Sequence, residues 1–262
     1  MATNLQGFVA LVTGGACGLG RASVDLLASK GVIVFVLDME QVIKNQEHVK
    51  SPGQVHFRAG DVTSEESVTK ILEEIRTAYN RLDIVLNCAG IMAIEPLYDF
   101  KADKPLPMEK FTRIYNVNVF GTVNVARLAV GLMAKNQPDA EGQRGVIINV
   151  ASCVRKDGPA WLIAYSSSKS AVDGMTIPMA REFGPQGIRV VAIAPGPCGT
   201  GMVRQFDGLE DACVNIAVCP KRNGKPEDFA RLVQYTVENP YINGTTIALD
   251  GGFTNPVSLA PP

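Results

Sequence analysis

Tyr165 and Lys169 stand at the two ends of YSSSK, residues 165–169. On a helix, residues four apart share one face, so this spacing presents a phenol and an ammonium to one small volume. A free phenol titrates at about pH 10 and is a poor base near neutrality, whereas a neighbouring positive charge favours phenolate. Such a pair is suited to moving a proton. Ser152 follows the apolar run GVIINVA (145–151), with a strand-end cap as its plainer use. It is no hydrolase nucleophile, because Val150-Ala151-Ser152-Cys153-Val154 lacks the G-x-S-x-G elbow. His48 and His56, the only histidines, lie in a polar early region away from these groups. Neither Ser-His catalysis nor a His-ligated metal is expected.

A second chemical signal lies near the start. TGGACGLG (13–20) follows the apolar run FVALV and leads directly into RASVDLLASK. Glycines there allow a tight strand-to-helix turn and bring a pyrophosphate against amides at a helix N-terminus, where the helix dipole favours an anion. Between the first strand and first helix of a βαβ unit, such a turn is a dinucleotide site, with Gly14, Cys17, Gly18, Leu19 and Gly20 against the cofactor. Asp38 ends the second strand, eighteen residues beyond Gly20. A carboxylate there accepts from a ribose 2′-OH and repels a 2′-phosphate, which Cys17 and Met39 cannot neutralise. The expected cofactor is NAD; an ordinary turn residue is the other use of Asp38. Asp61-Val62 and Asn87-Cys88-Ala89-Gly90 end the third and fourth strands and should line the adenosine side.

The elements that must position these groups are short, β-branched-rich runs at 8–12, 32–37, 54–59, 82–87, 145–151, 188–194 and 245–250, separated by helical patterns at about 18–30, 64–79, 109–135, 163–184 and 226–238. Near-continuous apolar strands are covered on both faces. The fold class is therefore α/β, a single-domain, Rossmann-like, doubly wound sheet of about seven parallel strands with helices on both faces. Thr63-Ser64-Glu65-Glu66 caps the second helix, and Pro178 should kink the fourth or remove one of its bonds. Without an internal repeat or a dividing linker, residues 1–262 form one domain, with rim loops 92–108 and 195–225 forming the substrate pocket.

A 262-residue chain that is 46% hydrophobic can bury a large core. Its net charge of −1, without long like-sign blocks, disfavours nucleic acid and anionic membrane as partners. There is no apolar run of membrane-spanning length and no signal core, so a soluble, intracellular protein is expected. Six cysteines without a C-x-x-C pair suit free thiols in a reducing compartment.

T-G-x-x-x-G-x-G at 13–20, N-C-A-G at 87–90, Asn118, Ser152, Y-S-S-S-K at 165–169 and P-G-x-x-x-T at 195–200 resemble, in order and spacing, the short-chain dehydrogenase/reductase family along essentially the whole chain. The resemblance implies Tyr165 as general acid/base, Lys169 as its pKa partner, Ser152 as hydrogen-bond donor to the substrate oxygen and Asn118 in a proton relay. It adds Tyr165, Lys169, Pro195, Gly196 and Thr200 to the cofactor contacts. By itself, Asn118 in NVNVFGTVNVARLAV is a relay residue or a structural anchor. GQRGVIIN (142–149), PQGIRV (185–190) and ENPYINGTTIALDG (238–251) further resemble the members that act on 3-hydroxyacyl-CoA and hydroxysteroids, which implies an apolar secondary alcohol or ketone as substrate. The same chemistry on small carbonyls or polyols, and a non-catalytic NAD-binding sensor, are the alternatives.

The stretch CVRKDGPAWLIA (153–164) departs from that pattern. Trp161 could pack on an apolar substrate body while Arg155 and Lys156 attract an anionic group, or the segment is a solvated loop. After Thr200, GMVRQFDGLEDACVNIAVCPKRNG reads as a mobile lid, in which the resemblance implies a short helix. Apolar residues on several faces of 109–135 and 163–184 suggest self-association, and the resemblance implies a homotetramer. MATNLQGFVA carries no Arg-rich presequence, and cytoplasm and mitochondrial matrix both stay open.

Overall fold

The computed structural model describes residues 4–44 and 54–253; His48 lies outside them. The chain runs through strand β1 (Val9–Thr13), helix α1 (Gly18–Ser29), β2 (Ile33–Asp38), the short α2 (Glu40–Lys44), β3 (Val55–Ala59), α3 (Glu65–Tyr79) and β4 (Ile84–Asn87). A small hairpin of β5 (Tyr98–Asp99) and β6 (Lys104–Pro105) leads to α4 (Met108–Tyr115), a π-helical stretch (Asn116–Gly121) and α5 (Thr122–Met133). Then come β7 (Gly145–Val150), a 3₁₀ turn (Cys153–Arg155), α6 (Ile163–Phe183), β8 (Ile188–Pro195), the short α7 (Gly201–Arg204) and α8 (Leu209–Ile216), α9 (Pro226–Glu238) and β9 (Thr246–Leu249).

Seven strands form one sheet in the order β3-β2-β1-β4-β7-β8-β9, and all six pairings are parallel. Winding reverses between β1 and β4, which opens a crevice at their C-terminal ends. The apolar character of the strands has the expected cause. Val9 and Leu11 face one core with α3, α5 and α6, while Ala10 and Val12 face a second core with α1 and α9. Alternate residues of one strand are thus buried on opposite sides.

Helix faces follow from spacing. In α1 the buried residues are Gly20, Ser23, Val24, Leu27 and Ala28, the i, i+3, i+4, i+7, i+8 stripe of a helix with one face on a sheet. In α3 they are Val68, Ile71, Leu72 and Ile75. Ser64 caps that helix by accepting from Ser67 N, and Asn80 closes it in the left-handed region. At the N-terminal edge of the sheet, the Asp83 carboxylate accepts from Val9 N at 2.8 Å and from the Arg81 guanidinium. Asn136 bonds both the N–H and the carbonyl of Leu82 and the carbonyl of Arg144.

All seven expected strands are present. The single helix expected over 109–135 is instead α4 and α5 joined by the π-helical stretch, which contains Asn118. Helix α6 continues through Pro178, whose nitrogen carries no hydrogen, so one backbone bond of the helix is missing there. The helix implied within the segment after Thr200 is two, α7 and α8.

Candidate active site

The glycine turn brings three backbones together. Gly14 and Gly18 have φ of +64° and +53°, the left-handed region that glycine enters without strain. A Cβ on Gly14 would stand 2.7 Å from Ala89 N, and one on Gly20 would stand 2.1 Å from the Gly14 carbonyl oxygen. No residue with a side chain fits at either position. Helix α1 starts here with no acidic residue in its first turn and with Cys17 as an N-cap that makes no capping bond, which leaves its positive end for an anion. Beside it, Asp38 accepts from Ala16 N at 2.9 Å and from Met39 N at 2.8 Å. A carboxylate is thereby fixed at the edge of the turn. Burial, and then the Asp38 charge, push the Cys17 thiol pKa up, so it stays neutral.

The neighbouring strand ends close around this turn. Thr13 accepts from Cys88 N through its carbonyl and from Ala89 N through its hydroxyl. Asn87 donates to Asn149 Oδ1 at 2.9 Å, and the two residues are in register on β4 and β7. Asp61 accepts from Thr63 N and starts the turn into α3, while the Val62 carbonyl accepts from Asn124. Pro195 ends β8, Gly196 N donates to the Leu249 carbonyl, and the following loop crosses over until the Thr200 methyl lies 3.4 Å from where a Gly18 Cβ would be. Thr200 is the N-cap of α7 but its side chain makes no capping bond. Leu19 turns away and packs on the core beneath α1.

Tyr165 and Lys169 occupy successive turns at the start of α6, and both are buried. Lys169 Nζ donates to the Val150 carbonyl at 2.7 Å and lies 5.8 Å from the Tyr165 ring centre. Burial pushes the lysine down to about 8, with the nearby Cys88 acting the other way. The phenol moves opposite to the sequence expectation: its pKa is raised, because burial outweighs the hydrogen bond with Ser152 that acts to lower it. Ser152, also buried, links β7 to the 3₁₀ turn and accepts from Val154 N, so it is a cap and a partner of the phenol together.

Asn118 shows no solvent exposure. Its amide donates to the Ile91 carbonyl and to Ser168 Oγ, each at 3.0 Å, and its oxygen accepts from Ile91 N at 2.9 Å. Both side-chain donors are therefore engaged in clamping the 90–91 backbone to α6, which favours the anchor over the relay for this side chain. Gly90 passes between Asn118 and Lys169: a Cβ there would be 3.2 Å from Asn118 Oδ1 and 3.5 Å from Lys169 Nζ. Ser168, which also donates to the Tyr165 carbonyl, and the Val150 carbonyl were not anticipated. Ser168 lies inside YSSSK, next to residues already singled out, but no pattern marks a backbone carbonyl.

Trp161 does line a groove, of about 730 Å³, together with Leu97, Tyr98, Phe100 and Ile163. Tyr165, Ser152 and Lys169 are not among its walls. Arg155 corrects both expectations made for it. It is neither solvated nor free to attract an anion, because its guanidinium pairs with Asp173 of α6 at 3.2 Å. Lys156 is exposed. His56 stacks on Phe35, and among the described residues no group of acids, cysteines and histidines is disposed to hold a metal.

Residues 8–210 match the family model for short chain dehydrogenases. The chain is 41% identical over 249 residues to a 3-hydroxyacyl-CoA dehydrogenase type-2 of Bos taurus, with 95% of both chains covered. It is 36% identical to an ipsdienol dehydrogenase of Ips pini, covering 96% of this chain and 98% of that one. A crystal structure of a 3-hydroxyacyl-CoA dehydrogenase type-2 from Mycobacterium avium superposes with a TM-score of 0.81 at 32% identity, covering 94% of this chain and 96% of the other. Family model, relatives and solved structure agree, and the chain belongs to the short-chain dehydrogenase family.

Proposed function

We propose that the protein is an NAD-dependent oxidoreductase that interconverts a secondary alcohol and a ketone, with a 3-hydroxyacyl-CoA, a hydroxysteroid or a similar apolar molecule as substrate. The observation that carries this is Ser152 hydrogen-bonded to a buried Tyr165, with Lys169 one turn on, at the same sheet edge as a glycine turn in which Gly14 and Gly20 leave no room for a side chain. The cradle suits a dinucleotide: amides and the positive end of α1 for its pyrophosphate, and the fixed Asp38 carboxylate for a ribose diol but not a 2′-phosphate. Gly14, Cys17, Gly18 and Gly20 would hold the diphosphate, Asp61, Val62 and Asn87 to Gly90 the adenosine side, and Pro195, Gly196 and Thr200 the nicotinamide side. When bound, the nicotinamide supplies the site at which hydride is accepted or released.

The chain's own residues manage the proton. In the reducing direction Tyr165, held neutral by burial, donates its proton to the carbonyl oxygen as that oxygen gains negative charge, and Ser152 donates a hydrogen bond to the same atom. In the oxidising direction the phenol must first give up its proton to solvent, and the phenolate oxygen then takes the substrate's hydroxyl proton. Lys169, fixed by the Val150 carbonyl, places its charge beneath the ring, where it offsets part of the cost of forming phenolate. Its help is limited by its own burial, and the pair is coupled to the Ser152 bond.

The names of the relatives support a thioester or a free apolar alcohol in preference to a polyol. A panel of hydroxyacyl-CoA, hydroxysteroid, terpenoid and sugar alcohols, followed by NADH absorbance, tests this. Turnover with an apolar member is expected, and Tyr165→Phe should lose about 10²–10⁴-fold in kcat with NAD binding retained. NADH binding without turnover of any alcohol would make the protein a sensor, and turnover of sugar alcohols alone would move it to polyols. Exchange of Asp38 for Ser should cut the NAD over NADP preference by about ten-fold or more. Exposed Met108, Phe120, Ile163 and Ile177 on α4, the π-helical stretch and α6 support self-association. Light scattering should return a homotetramer. Six free thiols support a reducing compartment, cytoplasm or mitochondrial matrix.

A further inference from the structure

The turn that carries Ser152 is fastened to α6 by side chains from both partners. The Ser166 hydroxyl donates to the Val154 carbonyl, and the Ser170 hydroxyl donates to the Arg155 carbonyl. Arg155 closes the set. Its Nη1 donates to the Ser152 carbonyl at 3.2 Å, and its Nε donates to Asp173 Oδ1 at 3.2 Å. The ion pair is mostly buried, with side-chain exposures of 10% and 24%, so it is less screened than a surface pair. The loop beyond it presses on the same helix: a Cβ on Gly158 would stand 2.2 Å from Ser166 Oγ.

The spacing gives these contacts a purpose. Tyr165, Lys169 and Asp173 follow one another at four-residue intervals on α6, as do Ser166 and Ser170 beside them. One row holds the phenol and the ammonium and ends in the carboxylate that grips Arg155. The other row buttons down the turn that begins at Ser152. Nothing in the proton chemistry requires a charge at 155 or 173, yet the two residues meet in the structure and reach the residue that bonds the phenol.

We propose that Arg155 is a positioning residue: through Asp173 and the Ser152 carbonyl it locks the Ser152 turn onto α6, so that the Ser152 hydroxyl and the Tyr165 phenol hold one geometry toward the substrate oxygen. This deepens the oxidoreductase function above and rests on the roles given there to Ser152 and Tyr165. A misplacement of about 1 Å at a reacting centre can cost as much as 10²-fold in rate.

Cys153, immediately after Ser152 and half-buried, reports the fastening independently of turnover. Its labelling by a neutral alkylating agent, mapped by peptide mass spectrometry, should quicken about ten-fold or more in Arg155→Met and in Asp173→Asn, because the turn opens more often. In the same full-length variants kcat should fall about ten-fold, with KM for NAD within about two-fold. The rising limb of the alcohol-oxidation pH profile should shift upward, since the Ser152 bond that lowers the phenol pKa is weakened. The double variant should be no slower than either single one, as expected for partners in one contact, and Arg155→Lys should recover part of the loss. Wild-type labelling and wild-type kcat in both single variants would overturn the proposal, as would additive losses in the double one. Should the wild-type enzyme turn over no alcohol at all, the oxidoreductase function fails, and the labelling rates alone decide whether Arg155 holds the turn.

Discussion

Lys169 carries the largest electrostatic cost in the site. Burial lowers it to about 8 from 10.5, so below that pH the folded protein holds a buried ammonium at a cost of about 3 kcal/mol. Between about pH 8 and 10.5 the native amine has shed its proton while the unfolded one keeps it, and stability rises with pH across that window. Replacing Lys169 with Met should therefore raise Tm near neutrality or leave it unchanged. The advantage should close as pH approaches 10, as calorimetry over a pH series can check, and turnover should be lost throughout. The same values set the reaction's pH response. Ketone reduction, which needs a protonated phenol beside an ammonium, should be level below about pH 8 and decline above it as Lys169 titrates; a decline already complete by pH 6 would contradict this. The meeting of Tyr165 and Lys169 on one helix face was legible from type and spacing, whereas Ser152 joined them only through the family resemblance. The direction of the phenol's shift was not legible, because spacing shows the ammonium next to it but not the exclusion of water around it.

The glycine turn and β4 make contact through backbone atoms, and this is where element geometry limits the sequence most. Gly14→Ala puts a methyl 2.7 Å from Ala89 N at a φ of +64°. Loss of NAD binding by about ten-fold or more is expected, with a stability cost of about 2–4 kcal/mol measured by urea unfolding. The seven strands were legible as β-branched-rich apolar runs, and α1, α3 and α9 because each helical pattern extends over three turns or more. Helix α2 and the β5–β6 hairpin, five and two residues to an element, display none. The division of 109–135 had no sequence marker either. A π-helical stretch widens the helix where Asn118 must reach Ile91 and Ser168 together, and that demand comes from other elements. In the same way, Arg155 and Asp173 are distant in sequence, and only the packing of the turn on α6 turns two unremarkable charges into a pair.

At the scale of the whole molecule, one buried guanidinium ties the C-terminal third to the sheet. Arg189 on β8 donates to the carbonyls of Thr236, Val237 and Ile242 at 2.9–3.0 Å and to Gln143, and burial lowers it to about 10. It satisfies the last carbonyls of α9, which packs on α1. Arg189→Met should cost about 3–5 kcal/mol in chemical denaturation, because those carbonyls lose their donor, with the kcat of the folded fraction unchanged. Among the described residues no helix is long and apolar enough to cross a membrane. Asp83 and Asn136 close one edge of the sheet, and Tyr165, Ser152 and the glycine turn gather at the other. Arg189, Asp83 and Asn136 serve durability without touching the reacting end, whereas Ser152 and Tyr165 serve reactivity and only Lys169 and Gly14 bear on both. A lineage under pressure for heat tolerance can revise the first set, and one adopting a new metabolite can revise the second, without either history erasing the other.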